Sequence, residues 1–130
     1  MDMYLKFPGG KKVDADYKGF IIKTDQPERQ GGEGSAPEPF SLFLASIATC
    51  TGIYVLDFCQ HRNLSTEGLE MVLRTEKNKE KRMIEKINIE ITLPKNFPKN
   101  YENAILKTAG LCAVKKHLEM PPLIDIFINK

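Results

Sequence analysis

The chain has 130 residues, of which 42% are hydrophobic and 28% are charged, and its net charge is +2. This length and composition are typical of one globular domain, so we predict a single domain over residues 1–130. The near balance of 19 basic and 17 acidic residues excludes the concentrated basic surface of a nucleic acid-binding protein, and no nucleic acid partner is expected.

The first part of the chain alternates apolar and polar residues between tight turns. Alternation over residues 3–7 is followed by a Pro-Gly-Gly turn and by further apolar residues over 13–22. This pattern predicts two or three N-terminal strands. Residues 26–38 are rich in Gly, Pro and charge, which predicts a flexible connecting loop. The loop lacks the Gly-Lys-Ser/Thr ending of a phosphate-binding loop.

An uncharged apolar segment over residues 39–56 predicts the first helix. Proline is favoured at the first helical position, so the helix should begin near Pro39 and end near Arg62. The segment is at the lower length limit of a membrane span, but it carries several hydroxyl groups. We therefore expect no membrane association, and a helix buried in the fold or at a subunit interface. Its predicted buried face holds Phe43, Ser46, Ile47, Cys50, Tyr54 and Asp57.

The second half of the chain predicts a strand pair, another helix and a last strand. Alternation over residues 69–73 and 87–93 indicates the two strands. Asn100 is the predicted N-cap of the second helix, whose buried stripe ends at Cys112. Two prolines end that helix, and residues 123–128 read as a final strand. The order of elements predicts an α+β domain with a mainly antiparallel sheet.

The three cysteines are too few for a disulfide scaffold, and the N-terminus lacks the apolar run of a signal peptide. We therefore expect a cytoplasmic protein with reduced thiols. Cys50 and Cys112 come together if their helices cross, whereas Cys59 points to the opposite face and is expected to be packing. The spacings of cysteine and histidine match no standard zinc pattern, so neither a metal nor a cofactor is expected. Spacing alone leaves open whether the cysteine pair reacts or packs.

The two cysteine segments resemble those of the OsmC/Ohr family of thiol peroxidases. The first is PFSLFLASIATCTG over residues 39–52, and the second is AGLCAV over residues 109–114. The resemblance covers nearly the whole chain. It implies antiparallel sheets packed around two central helices in an intertwined homodimer, with active sites at the subunit interface.

The resemblance also implies the chemistry of the cysteines. Cys50 would attack an organic hydroperoxide, and Cys112 would resolve the resulting sulfenic acid as a disulfide. A thiol reductant, such as a lipoylated protein, would then restore the pair.

The motif departs from the family pattern at Phe40. The best-understood members have a glutamate there, which holds an arginine that activates the thiolate. Cys50 lies too deep in its helix for the positive helix end to stabilise a thiolate, so a cation from elsewhere is required. The candidates are Arg29, Lys11 and Lys12, from either subunit. With such a cation, Cys50 should react with peroxide faster than Cys112.

Four apolar side chains around the first cysteine are the predicted pocket walls: Phe40, Phe43, Ile47 and Tyr54. The alternative for these residues is core packing. Two alternative functions also stay open. One is a non-catalytic protein of the same fold whose dimer-interface pocket, lined by the cysteines, holds a small apolar molecule. The other is a redox-sensing or disulfide-exchange protein whose substrate is another protein.

Overall fold

The computed structural model describes residues 1–129, and it is an α+β fold with two antiparallel sheets and three α-helices. The predicted fold class is therefore confirmed, with one helix more than expected. The residues group into two compact units, Met1–Ala45 and a second unit that begins at Ser46.

The first unit contains a three-stranded antiparallel sheet. Its strands are β1 (Tyr4–Gly9), β2 (Lys12–Tyr17) and β3 (Phe20–Thr24), and they lie in the order β1-β2-β3. Gly10 and Gly19 have φ angles of 57° and 83° in the two connecting turns, a region that glycine adopts without a steric penalty. The N-terminal strands predicted from alternation are confirmed.

The loop after β3 is built around one buried carboxylate, contrary to the prediction of a flexible connection. Asp25 is only 1% exposed and accepts hydrogen bonds from the backbone N–H of Gln26 at 2.7 Å and of Ser35 at 3.0 Å. The Ser35 hydroxyl donates to it at 2.6 Å. A Cβ atom on Gly32 would lie 1.9 Å from the Gln26 carbonyl oxygen, so only glycine fits there. The prediction failed because composition does not reveal which side chain accepts the loop's N–H groups.

Helix α1 spans Pro39–His61, close to the predicted bounds. It begins in the first unit and continues into the second. Its fully buried face differs from the predicted one, and its members are Ile47, Thr51, Val55, Phe58 and Cys59. Cys50 and Tyr54 flank this face and are half-buried. By length and composition α1 could cross a membrane, a test that the core helix of a globular protein also passes.

The second unit contains the predicted strand pair as a hairpin. Strands β4 (Glu70–Asn78) and β5 (Met83–Thr92) are antiparallel, with Met71 opposite Ile91 and Leu73 opposite Ile89. These side chains are half-buried while their neighbours along each strand are mostly exposed. The hairpin therefore covers the core with one face.

The second predicted helix is interrupted, and this correction changes the surroundings of Cys112. A 3₁₀ turn (Lys99–Tyr101) holds Asn100, which is therefore not an N-cap, and it leads into α2 (Glu102–Ala109). After Gly110, helix α3 (Ala113–Glu119) begins with Cys112 as its N-cap. The stripe of apolar residues crosses the break without a change of spacing, so periodicity could not reveal it.

The core of the second unit lies between α1 and α2. It comprises Val55, Phe58 and Cys59 of α1 with Ile105 and Ala109 of α2. The edge of the Tyr101 ring packs on Phe58 with 5.8 Å between ring centroids. This packing sets α1 against α2 and so determines where the thiols of the two segments lie.

The final strand predicted over residues 123–128 is not present. These residues have no regular structure and pair with none of the five strands of the described chain. Five apolar side chains are more than 80% exposed there: Leu123, Ile124, Ile126, Phe127 and Ile128. A strand needs a hydrogen-bonded neighbour, which alternation in the sequence does not supply.

Candidate thiol site

The structure brings the sulfurs of Cys50 and Cys112 together. Cys50 comes from the middle of α1 and is half-buried, whereas Cys112 lies at the start of α3 and is completely buried. The Cys50 side chain is one of the groups that lower the pKa of Cys112, so it lies close to that sulfur. Both cysteines are free, so the pair is in its dithiol state.

Two hydrogen-bond donors point at the Cys112 sulfur. The backbone N–H of Lys115 donates to it at 3.3 Å, as is usual for an N-cap side chain. The hydroxyl of Thr51, one residue after Cys50 on α1, donates to it at 3.6 Å. Sulfur is a weak acceptor as a thiol and a much stronger one as a thiolate, so these donors favour the charged form.

The balance of burial and hydrogen bonding lowers the pKa of Cys112. Burial alone raises this pKa, but the Lys115 N–H, the Thr51 hydroxyl, the Cys50 thiol and the Lys115 charge together outweigh that effect. Cys59 is equally buried, and there burial raises the pKa of the thiol, with only a partial offset from Arg62. The two buried thiols differ because only Cys112 has hydrogen-bond donors aimed at it.

An apolar cavity of about 370 Å³ lies next to Thr51 and Lys115, and neither Cys50 nor Cys112 is among its lining residues. Thr51 and Lys115, both bonded to Cys112, form part of its wall. Apolar side chains from α1, β5, α2 and α3 form most of the rest, namely Ile47, Ile87, Ile89, Ile91, Leu106, Ala109 and Leu118. The cavity is therefore suited to a small apolar molecule held close to the two residues that contact the Cys112 sulfur.

The predicted pocket residues do not share one cavity. Ile47 lines the cavity beside Thr51, whereas Tyr54 lines a separate cavity of about 420 Å³ together with His61 and Arg62. Phe40 and Phe43 belong to the first unit, where their ring centroids are 5.4 Å apart. Among the four predicted residues, only Ile47 lines the cavity next to Thr51.

The three predicted cations all belong to the first unit. Arg29 is exposed in a short 3₁₀ helix (Glu28–Gln30), and Lys11 is exposed in the turn before β2. Lys12 pairs with Glu33 at 2.9 Å, and this carboxylate raises the pKa of the lysine. Their roles as activating cations stay predictions.

Sequence reasoning missed Thr51 and Lys115, the two residues that hold the Cys112 sulfur. Thr51 sits 61 positions before Cys112, and no local pattern connects them. Lys115 could have been found, because Gly110 is a signal for a helix end and would make Cys112 the start of a new helix.

The fold and the paired cysteines define a class of small α+β proteins with a dithiol site between two helical segments. Residues 32–127 match the family model of the OsmC-like proteins, and the chain belongs to this family. A search of the curated proteins gave no match.

Solved structures share the fold at low sequence identity. A proposed osmotic stress induced and detoxification response protein from Psychrobacter arcticus 273-4 is 21% identical, with a TM-score of 0.73. The match covers 88% of this chain and 85% of the Psychrobacter chain. An OsmC-like protein from Mycoplasma pneumoniae is 14% identical with a TM-score of 0.70, covering 91% and 86%. The organic hydroperoxide resistance protein OhrB of Bacillus subtilis is 15% identical with a TM-score of 0.53, covering 93% of each chain.

Proposed function

We propose that the protein is a thiol-dependent peroxidase that reduces organic hydroperoxides through a Cys50–Cys112 disulfide. The observation that carries this proposal is the position of the free thiol Cys112, bonded to Thr51 directly after Cys50 on α1, next to an apolar cavity that Thr51 and Lys115 help to line. Membership of the OsmC-like family, and the name of the hydroperoxide resistance protein with the same fold, support it.

The proposed reaction begins at Cys50, because it is the more accessible of the two sulfurs. Its sulfur attacks the terminal oxygen of the hydroperoxide, the O–O bond breaks and an alcohol leaves. Cys50 then carries a sulfenic acid. The sulfur of Cys112 attacks the sulfur of Cys50, a disulfide forms and water or hydroxide leaves. An external thiol reductant, such as a lipoylated protein, returns both sulfurs to thiols.

The cavity favours an organic substrate over hydrogen peroxide. Its wall is mostly aliphatic, and the burial of each apolar carbon of a bound substrate is favourable by about 0.8 kcal/mol per CH₂ group. Hydrogen peroxide has no carbon to bury, so it gains none of this binding energy. We therefore propose that larger alkyl hydroperoxides are reduced more efficiently.

Formation of a homodimer in the cytoplasm is part of this proposal. The C-terminal residues 123–128 expose five large apolar side chains, which one protomer leaves in contact with water. An exposed apolar run of this kind marks an association surface. A second copy of the chain is the proposed partner, as in the intertwined dimers that the family resemblance implies.

The test is to mix reduced protein with cumene hydroperoxide and to count free thiols. We expect loss of two thiols per subunit and a Cys50–Cys112 disulfide in peptide mapping. Cys50→Ser should abolish disulfide formation, and Cys112→Ser should stop the reaction at a trappable sulfenic acid. Cys59→Ala is the matched control, because Cys59 lies in the core away from the pair, and it should react like the parent protein. Retention of all thiols after exposure would contradict the proposal.

A second candidate is a non-catalytic protein that binds a small apolar molecule. The same cavity favours it, together with the absence of the family's glutamate at Phe40. Such a protein would bind an alkyl alcohol or ester with its thiols intact, and its Cys50→Ser variant would bind equally well.

A further inference from the structure

The accessible sulfur and the sulfur that is best held as a thiolate are two different atoms. Cys50 is half-buried, so a peroxide can reach it, whereas the hydrogen-bond donors from Lys115 and Thr51 are directed at Cys112. Cys112 is 0% exposed and receives the Lys115 N–H at 3.3 Å and the Thr51 hydroxyl at 3.6 Å. A peroxide therefore meets the Cys50 thiol, while the donors that would stabilise a negative charge surround Cys112.

We propose that Cys112 is the resting thiolate of the pair and acts as the base for Cys50, and that Thr51 and Lys115 are the positioning residues that hold its charge. This inference rests on the proposed peroxidase function. In this inference Cys112 activates Cys50 by accepting its proton. Such a base within the pair is needed because this chain has Phe40 where the family has a glutamate.

The two sulfurs and one hydroperoxide account for every proton and electron that the proposed reaction moves. As the Cys50 sulfur bonds to the terminal peroxide oxygen, its proton passes to the Cys112 sulfur. The O–O bond breaks with its electron pair on the alkoxide, which takes that proton and leaves as the alcohol. Cys112 is then a thiolate again and attacks the Cys50 sulfur, expelling hydroxide as the disulfide forms. The two sulfurs together lose the two electrons that reduce the peroxide.

Cys59 offers a comparison within the same protein. It is as buried as Cys112, but it has no donor comparable to Thr51 or to the Lys115 N–H among the described residues. Burial raises the pKa of Cys59, while that of Cys112 is lowered in spite of burial. The titratable and charged groups that act on Cys112 are the Cys50 thiol from α1 and Lys115 from α3 itself. The β5 side chains that line the adjacent cavity are isoleucines.

The test measures thiolate absorbance near 240 nm against pH in the reduced protein, and the rate of thiol loss with cumene hydroperoxide over the same range. We expect the low-pH thiolate signal to persist in Cys50→Ser and to vanish in Cys112→Ser. Thr51→Val removes one hydrogen bond to a charged sulfur at constant volume. It should raise the absorbance midpoint by about one pH unit and slow the peroxide reaction below that midpoint up to about tenfold. Thr51→Ser keeps the hydroxyl, so it should retain the parent protein's absorbance midpoint and its rate of reaction with peroxide.

A matched control and a second variant separate this role from a structural one. Thr108→Val also removes a helix hydroxyl, which donates to the Ala104 carbonyl at 2.9 Å. It should leave the absorbance midpoint and the rate of thiol loss unchanged. Lys115→Met keeps the backbone N–H but removes the charge, so it should raise the midpoint by less than Thr51→Val.

The absorbance titration needs no peroxide, so it separates the two proposals. The inference would be overturned if the thiolate absorbance vanished in Cys50→Ser instead of Cys112→Ser. It would also be overturned if Thr51→Val left the absorbance midpoint unchanged. In either case the proposed peroxidase function would stand. A titration that moves as expected, in a protein whose thiols survive peroxide, would overturn the proposed function and the base role of Cys112.

Discussion

Single side chains in this protein derive their chemistry from the hydrogen-bond donors around them. Cys112 and Asp25 are both buried acids, and both are surrounded by N–H and O–H donors. These donors stabilise the charged form, so the pKa of each group is lowered in spite of burial. The charged form of Cys112 is the reactive thiolate, whereas the charged form of Asp25 orders a loop.

The loop around Asp25 gives a prediction about acid stability. Hydrogen bonds from Ser35 and Gln26 lower the pKa of Asp25 from 3.8 to about 2. A carboxylate with a lowered pKa stabilises the fold fully above its unfolded value, and this contribution is lost as pH falls from 3.8 toward 2. Asp25→Asn should therefore lower the free energy of unfolding in urea at pH 7, and its deficit relative to the parent should shrink near pH 2.5. Asp2→Asn, at the exposed N-terminus, is the control; an equal deficit at both pH values would contradict the prediction.

At the scale of elements, one helix contact positions the thiol site. Ile105 of α2 is 1% exposed and packs among Val55, Phe58 and Cys59 of α1. This contact places α2 against α1, and the chain then turns at Gly110 to bring Cys112 beside Thr51. Packing between α1 and α2 thus helps to set the 3.6 Å distance between the Thr51 hydroxyl and the Cys112 sulfur.

Ile105→Ala should destabilise the protein by about 2–5 kcal/mol, because it removes a fully buried side chain and leaves a cavity. Leu106→Ala is the matched control on the same helix, since Leu106 is 59% exposed and should lose much less. Urea unfolding followed by circular dichroism measures both. Similar losses for the two variants would mean that α2 does not pack through Ile105.

At the scale of the whole molecule, the protomer leaves apolar surface uncovered. Residues 123–128 form no strand, and their large side chains are almost fully exposed. Burying such a segment against a second copy would give it both hydrogen-bond partners and an apolar contact. The proposed homodimer is therefore also the condition under which the predicted final strand would form.

The double variant Ile126→Asp/Phe127→Asp should shift the mass in light scattering from dimer to monomer, because charges replace two apolar side chains that are 95% and 84% exposed in the protomer. Met83→Asp changes an exposed apolar residue at the start of β5, 64% exposed, and should remain dimeric. A parent protein that is monomeric at micromolar concentration would refute the proposed dimer.

Periodicity, turn residues and motifs were enough to predict the strands of both sheets, the bounds of α1, the family resemblance and the two cysteines of interest, because these signals are local. The structure was needed to find that Cys112 begins a helix, that Thr51 and Lys115 donate to its sulfur, and that Asp25 organises the loop. These features escape prediction because the charge on a buried group depends on donors that folding brings to it. One of those donors lies 61 residues away in the chain.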